Sequence, residues 1–379
     1  MLRTVPVDGS PDSVADLAEA LAAALDGTGP AVRPVAADAP PAPDPTGELP
    51  EGAAVVVSTS GSTGEPKHVV LTAAALTASA RATEDRLGGP GRWVLPLPAE
   101  HVAGVQVIVR ALLAGAPPQV QDVRDGFRPA GFARTTARLQ HGARRYTSVV
   151  PTQLLRILDH GSAPLEALRG YAAVLVGGAA LDPALRERAL EAGVRVVTTY
   201  GMSETAGGCV YDGVPLDGVT VDIDDDGRIL LGGPMVAAGY LGDAAATAES
   251  FAGGRFRTGD LGRLDDGRLT VLGRADDVVV TGGEKVAPAA VERVLTAQPG
   301  VADACVVGVP DPEWGAVVAA AVVLTGASRD TLADVVRSEL GRAAVPRRWL
   351  AVDEIPLRGI GKPDRAEVRR LLSATAAAE

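Results

Sequence analysis

The chain has 379 residues, of which 46% are hydrophobic, and its formal charge is −11 with a sequence pI near 5.0. This length exceeds one average domain, so two domains are expected. The acidic balance argues against a broad basic surface and therefore against nucleic acid or an anionic membrane as a partner, which leaves small molecules.

The first half of the chain predicts an α/β fold. Ser10 suits the N-cap of a helix with Pro11 at its first position, and apolar spacing extends that helix to Leu25. Residues 27–52, rich in Pro, Ala and Gly, predict an irregular surface connection. Apolar runs of strand length then alternate with helix-like segments, which predicts a largely parallel sheet. The predicted strands are residues 53–60, 92–98, 146–151, 171–178 and 194–200.

Beyond Gly213 the pattern changes to short β segments separated by acidic turns, at residues 219–233 and 261–273, which predicts hairpins. The remaining segments alternate helix and strand. They are helices at 288–297 and 329–340 and strands at 302–310, 316–324 and 349–357. We therefore expect a large N-terminal domain of layered α/β sheets with a β-rich subdomain, residues 1–273, and a small mobile α+β C-terminal domain, residues 274–379.

Lysine is rare in this chain, which has 36 basic residues but only Lys67, Lys285 and Lys362 as lysines. Arginine is the default cation, and lysine differs from it as a compact point charge on a flexible stem. All three lysines lie in glycine-bearing segments that carry other chemical signals. Function explains this shared placement better than chance does.

The segment STSGSTGEPK, residues 58–67, directly follows a predicted strand. Its glycines allow the backbone to approach a polyanion, its hydroxyls supply donors, and Lys67 supplies positive charge. A Ser/Gly loop by itself is more often a flexible turn, but the preceding strand and the lysine favour a phosphate site. It is not a Walker A loop, because the lysine follows Gly64 by three residues and no Ser or Thr comes next.

A second segment, TTYGMSET at residues 198–205, also follows an apolar strand, and ligands of open α/β sheets bind beyond strand ends. Tyr200 could stack on a base and Glu204 could hold Mg²⁺ against phosphate. A plain strand-to-helix turn is the alternative. Three further segments carry similar signals. They are RTGD at 257–260, GRADDVVVTGGEK at 273–285 and PLRGIGKPD at 356–364.

Taken together in order and spacing, these five segments resemble the core motifs of the adenylate-forming superfamily, which contains acyl-CoA synthetases, peptide-synthetase adenylation domains and firefly-type luciferases. The resemblance covers residues 53–365. It implies that a substrate carboxylate attacks the α-phosphate of MgATP, and that coenzyme A thiolate then displaces AMP. The implied cofactors and partners are ATP, Mg²⁺, coenzyme A and a small carboxylic acid.

The resemblance also implies roles for individual residues. Lys362 would bridge phosphate and the attacking carboxylate, Glu204 would bind Mg²⁺, and Asp260 with Arg274 would hold ribose. The small domain would rotate about Asp276. The loop from Thr59 would bind pyrophosphate through Ser60, Gly61, Ser62, Thr63, Gly64 and Lys67. Adenine would be framed by Tyr200 and the turn of Gly177, Gly178 and Ala179, flanked by Gly201, Met202, Ser203 and Thr205. Gly282 and Gly283 would line a pantetheine tunnel, and no role falls to Lys285.

Two other segments, PLPAEHVAG at 96–104 and VPTQ at 150–153, resemble the acyl pocket of the superfamily members that act on 2-succinylbenzoate in menaquinone synthesis. They nominate His101, Arg110 and Thr152 as acyl-binding residues. Arg110 interrupts an apolar helix-like stretch, where it can meet a buried carboxylate of the substrate. Its alternative is to extend along the helix to the surface.

Several alternatives stay open. Another aryl or alkyl acid, loading of a carrier protein, or silent nucleotide binding would each use much of the same sequence. The two cysteines, Cys209 and Cys305, favour a reducing cytoplasm, and no apolar run has signal-peptide or membrane-spanning character. A homodimer is left open.

Overall fold

The computed structural model describes residues 1–40, 45–60, 66–139, 142–358 and 362–375, without the side chains of Ser60, Arg358, Lys362 and Thr375. It shows the α/β architecture that the sequence predicts, with a large N-terminal domain and a small C-terminal one. The candidate loop residues Gly61, Ser62, Thr63 and Gly64 lie outside the described residues.

The first sheet is formed mainly by the N-terminal residues of the chain. Its first elements are β1 (Leu2–Val7), α1 (Pro11–Leu25), β2 (Ala31–Ala36), β3 (Ala53–Ser60) and β4 (Pro66–Thr72). β1, β2 and β3 are parallel, and β4 returns antiparallel to β3. The helix begins as predicted, because the Ser10 side chain accepts a hydrogen bond from the Ser13 amide and Pro11 follows it.

The predicted irregular connection over residues 27–52 is wrong where β2 forms, and β1 was not predicted at all. Each strand contains a proline, Pro6 or Pro34, which argues against a strand in a single sequence. The structure accommodates both residues. β1 is the edge of the sheet, where proline is tolerated. Pro34 lies opposite Val5 of β1, and β2 pairs with β3 at Val32, two residues before Pro34.

The second sheet contains the remaining predicted parallel strands. The elements are α2 (Ala73–Leu87), β5 (Arg92–Leu95), α3 (Val102–Leu113), β6 (Gln119–Val120), α4 (Pro129–Thr136), β7 (Arg145–Val149), α5 (Pro151–Asp159), α6 (Ser162–Arg169), β8 (Ala173–Val176), α7 (Pro183–Glu191), β9 (Val196–Met202), β10 (Gly207–Tyr211) and β11 (Val214–Pro215). Strands β5 to β9 are parallel in the order β6-β5-β7-β8-β9, so their carboxyl ends share one edge.

The predicted hairpins form the β-rich subdomain. Its elements are β12 (Thr220–Ile223), β13 (Arg228–Gly232), β14 (Gly239–Tyr240), α8 (Ala244–Ser250), β15 (Phe251–Ala252), β16 (Arg255–Asp265) and β17 (Arg268–Arg274). β12 pairs with β13, and β16 pairs with β17, as the acidic turns indicated. β14 leaves this subdomain and adds to the first sheet beside β4.

The C-terminal part contains a three-stranded sheet. Its elements are β18 (Val279–Thr281), β19 (Glu284–Val286), α9 (Pro288–Thr296), β20 (Val301–Asp311), β21 (Gly315–Leu324), α10 (Arg329–Leu340), β22 (Arg348–Ala351), β23 (Leu357–Arg358), β24 (Lys362–Pro363) and α11 (Arg365–Thr375). The strand predicted at 349–357 is shorter, ending at Ala351. α11, which the sequence did not predict, begins with the Asp364 carboxylate accepting from the Glu367 amide.

The main core lies between the first two sheets. α1 packs on the first sheet, α3 packs on the second, and the two helices contact each other. Leu21 of α1, Leu76 of α2 and Ile108 of α3 are fully buried there. No helix within the described ranges has the length and apolar character needed to cross a membrane.

Candidate functional site

The candidate nucleotide residues gather where β9 turns into β10. β9 ends at Met202, a 3-10 turn covers Ser203–Thr205, and β10 returns antiparallel. The Thr205 hydroxyl accepts a hydrogen bond from the Met202 amide and donates to the carbonyls of Met202 and Gly207, which fixes the turn. A Cβ at Gly201 would stand 2.1 Å from the Gly207 carbonyl oxygen, so the close approach of these strands requires glycine there.

Tyr200 and Asp260, sixty residues apart, meet at this edge. The Tyr200 hydroxyl donates to Oδ2 of Asp260 over 2.8 Å. Burial, followed by the negative charge of Asp260, raises the pKa of Tyr200, so its hydroxyl stays protonated. Arg274 lies opposite Asp260 in the β16–β17 pair, with its Nη1 3.5 Å from Oδ1 of the aspartate. The predicted base-stacking residue and both predicted ribose residues therefore form one cluster.

Glu204 and Lys67 approach a common neighbour, Tyr240. The Tyr240 hydroxyl donates to Oε1 of Glu204 over 2.9 Å, while Nζ of Lys67 lies 4.7 Å from the centre of the Tyr240 ring. Thr59, another described residue of the candidate loop, donates from its hydroxyl to the Lys67 carbonyl across the β3–β4 hairpin. The sequence reasoning missed Tyr240, although the residue stands in a short GYLGD stretch between two of the motifs.

A cavity of about 100 Å³ lies beside this turn. Its walls come from α3 and the segment before it, from the carboxyl ends of β7, β8 and β9, and from β10. Its lining includes His101, Gln106, Arg110, Gly177, Gly178 and Tyr211, together with apolar residues of the same elements. Thr152, at the start of α5, is not among the lining residues, whereas its neighbour Val150 is. The cavity thus joins two of the three predicted acyl residues to the predicted adenine turn.

Arg110 is 3% exposed, so the alternative that it reaches the surface is wrong. Its guanidinium carbon lies 5.3 Å from the ring centre of Trp93, which is 1% exposed. Within the described chain its Nε has no hydrogen-bond partner, and no carboxylate forms an ion pair with it. Burial raises the pKa of nearby Glu84, and the charges of Arg81 and then Arg110 oppose that rise. Arg110 is therefore a buried cation in the cavity wall with no ion-pair partner among the described residues.

The other candidates lie in the C-terminal part. Asp276 is exposed in the 3-10 turn Ala275–Asp277, between β17 and β18. Gly282 and Gly283 form the exposed turn of the β18–β19 hairpin, where the Trp314 ring would meet a Cβ at Gly282 at 2.6 Å. Lys362 begins β24, and its side chain lies outside the described part of the chain.

Three comparisons bear on this site. The AMP-binding enzyme family matches residues 7–241, and the AMP-binding enzyme C-terminal domain matches residues 290–362. A probable 2-succinylbenzoate–CoA ligase of Mycobacterium tuberculosis is 45% identical over 331 residues, covering 85% of each chain.

Solved structures agree with the family match. Amide bond synthetase McbA from Marinactinospora thermotolerans has a TM-score of 0.77 at 30% identity, covering 98% of this chain and 80% of its own. The o-succinylbenzoate CoA synthetase (MenE) of Bacillus subtilis, in complex with the acyl-adenylate intermediate OSB-AMP, has a TM-score of 0.74 at 26% identity. That match covers 97% of this chain and 78% of the Bacillus chain.

The fold and the clustered nucleotide motifs define an adenylate-forming ligase. The chain belongs to the AMP-binding enzyme family. The resemblance inferred from five sequence motifs is therefore confirmed.

Proposed function

We propose that this enzyme is a 2-succinylbenzoate–CoA ligase that serves menaquinone synthesis. The observation that carries the proposal is Arg110, a buried cation with an unpartnered Nε in the wall of a largely apolar cavity. 2-Succinylbenzoate has one carboxylate that reacts and one on the ring that does not. The unreactive carboxylate needs a cation when it leaves water, because an unpaired buried charge is costly.

The first step forms an acyl–oxygen–phosphorus bond as the succinyl carboxylate attacks the α-phosphate of ATP, and pyrophosphate leaves. The carboxylate is already ionised, so the site needs no general base, and positioning with charge neutralisation dominates. Lys67 and the hydroxyls of its loop would hold pyrophosphate. Tyr200 and Arg274, which both contact Asp260, would hold the nucleoside together with it.

The donor set at Glu204 suits Mg²⁺. Magnesium is usually bound through one or two carboxylates together with substrate phosphates rather than by a protein cage. The described residues include no group of three or more His, Cys, Asp or Glu side chains arranged to hold a metal. When bound, the ion would neutralise charge on the phosphates. The protein's part is to present the Glu204 carboxylate toward them.

In the second step the thiolate of coenzyme A attacks the acyl carbon, and AMP leaves. This step needs the small domain to withdraw Lys362, which implies a hinge. Ion pairs surround the predicted hinge Asp276. Arg274 lies 3.5 Å from Asp260 and 3.2 Å from Asp276 itself, and Arg365 of α11 lies 3.2 Å from Asp277. Rotation about Asp276 would therefore rearrange its ion pair with Arg274.

The proposal is tested by replacing Arg110 with Ala, and with Met to retain packing within α3. Losing a charge-assisted contact to a buried carboxylate costs about 2 to 5 kcal/mol, at least about a tenfold loss in kcat/KM. We expect both variants to lose this much with 2-succinylbenzoate, while the KM for ATP stays nearly unchanged. The assay is pyrophosphate release.

The matched control is Arg156→Ala, which removes an exposed arginine from another helix, α5. It should behave as wild type. If the Arg110 variants lose activity equally with 2-succinylbenzoate and with 4-oxo-4-phenylbutanoate, which lacks the ring carboxylate, Arg110 does not recognise that carboxylate. Thioester formation with free coenzyme A separates the ligase from an enzyme that loads a carrier protein.

The cellular setting is part of the same proposal. Cys209 and Cys305 are both buried and unpaired, which suits a reducing cytoplasm. The partners would be small molecules alone, with neither nucleic acid nor membrane, and a homodimer remains open.

A further inference from the structure

Tyr240 lies on a short segment that joins the two sides of the phosphate site. The Ala237 amide donates to the Glu204 carbonyl, and the Ala238 amide donates to the carbonyl of Val70 in β4. The Leu241 amide donates to the carbonyl of His68, the residue after Lys67. Residues 237–241 therefore connect the β9–β10 turn of the second sheet to β4, the strand of the first sheet that contains Lys67.

The Tyr240 side chain also contacts both Glu204 and Lys67. It is 7% exposed, its hydroxyl donates to Oε1 of Glu204 over 2.9 Å, and the Lys67 ammonium lies 4.7 Å from its ring centre. The Tyr240 and Phe251 rings pack in a T-shaped arrangement with their centres 5.3 Å apart.

We propose that Tyr240 is a positioning residue that holds the carboxylate of Glu204 and the ammonium of Lys67 at a fixed separation across the phosphate site. This inference rests on the proposed roles of those two residues. The phenol holds one carboxylate oxygen of Glu204, and the other oxygen would bind the metal ion. The ring face meanwhile holds the lysine through a cation–π contact.

The two contacts have separable consequences. Partners that orient a metal ligand typically change metal affinity or activity about 10- to 100-fold when they are removed. Cation–π contacts are weaker, about two- to fivefold in affinity at accessible sites. Phenylalanine at position 240 keeps the ring and loses only the hydroxyl, whereas leucine loses both contacts.

For Tyr240→Phe we expect a rise of about tenfold or more in the Mg²⁺ concentration that gives half-maximal adenylation, with the KM for ATP at saturating Mg²⁺ nearly unchanged. A second readout is binding itself. Mn²⁺ titrated against enzyme and a non-hydrolysable ATP analogue, followed by electron paramagnetic resonance, should show the same loss of affinity. Tyr240→Leu should add a two- to fivefold rise, roughly, in the KM for ATP.

Tyr171→Phe is the matched control. It also deletes one buried phenol hydroxyl, here bonded to Thr136 at 2.7 Å in a separate core, and it should leave metal dependence unchanged. Thermal unfolding of both variants shows whether a difference in stability contributes. An unchanged Mn²⁺ affinity in Tyr240→Phe overturns the inference.

Glu204→Gln distinguishes this failure from failure of the proposed function. If Glu204→Gln weakens Mn²⁺ binding and Tyr240→Phe does not, only the positioning role of Tyr240 is wrong. If Glu204→Gln leaves Mn²⁺ binding unchanged, the metal role of Glu204 is wrong, and the inference about Tyr240 is wrong with it.

Discussion

The proposed nucleotide edge, around Tyr200 and Glu204, and the proposed acyl cavity, around Arg110, share the β9–β10 turn but differ in how their polar groups are satisfied. At the nucleotide edge Tyr200 is bonded to Asp260, and Tyr240 is bonded to Glu204, so these groups are already paired by neighbours. In the cavity Arg110 stacks on Trp93 and retains an Nε without a partner among the described residues.

This difference predicts that substitutions in the two regions have different effects on activity. Groups that hold one another in place form a preorganised binding surface for ATP. Because every acid reacts with the same ATP, removing one of these groups should lower activity with all acids to the same degree. A buried cation with available donors gains most from an anion of its own, so its loss affects only acids that supply one. Acid-independent and acid-dependent effects therefore mark the two regions.

The largest effect is expected for Lys362→Ala, because this lysine would contact both the phosphate and the attacking carboxylate. Removing one preorganised charge donor commonly lowers kcat by about 100- to 1,000-fold. Adenylation should fall by that order for all acids, while thioester formation from a supplied acyl-adenylate should stay largely intact. Equal losses in both half-reactions would contradict a role confined to the first conformation.

Lys285→Ala is the control within the same domain. Lys285 is exposed on the β18–β19 hairpin, and no chemical role is assigned to it. Its removal should leave adenylation unchanged. A loss comparable to that of Lys362→Ala would mean that positive charge on the small domain, rather than one lysine, supports the first step.

A smaller effect is expected for Tyr200→Phe, which keeps an aromatic ring for the base but removes the hydrogen bond to Asp260. A bond to a charged partner contributes about 1.5 to 3 kcal/mol, so the KM for ATP should rise roughly tenfold or more. Steady-state pyrophosphate release with two different acids measures it. If the rise in the KM for ATP differed between the two acids, Tyr200 would belong to the acyl cavity rather than to the nucleotide edge.

The clustering of Tyr200 and Arg274 around Asp260 was predictable from the sequence because the signals are local. Each motif follows a strand or stands in a turn, so the shared edge of a parallel sheet brings the segments together. Tyr240 was missed because β14 is only two residues long and its importance depends on pairing with β4. β1 and β2 were missed because Pro6 and Pro34 oppose a strand in isolation, whereas their positions in this sheet tolerate proline.

The acyl cavity was less predictable. Arg110 stood out as a charge within an apolar helix, but its burial and its stacking on Trp93 depend on β5 packing against α3. Thr152 was nominated by its segment, and the structure places Val150 rather than Thr152 at the cavity wall. Which residues of a motif face a cavity depends on helix and strand orientation, which residue order alone does not determine.

The most direct test of the account is the ratio of kcat/KM for 2-succinylbenzoate to that for 4-oxo-4-phenylbutanoate in the wild-type enzyme. The two acids share the reacting arm and differ only in the ring carboxylate that Arg110 is proposed to bind. We predict a ratio of at least about ten in favour of 2-succinylbenzoate. A ratio near one would contradict the account, because the buried arginine would then contribute nothing to the choice of acid.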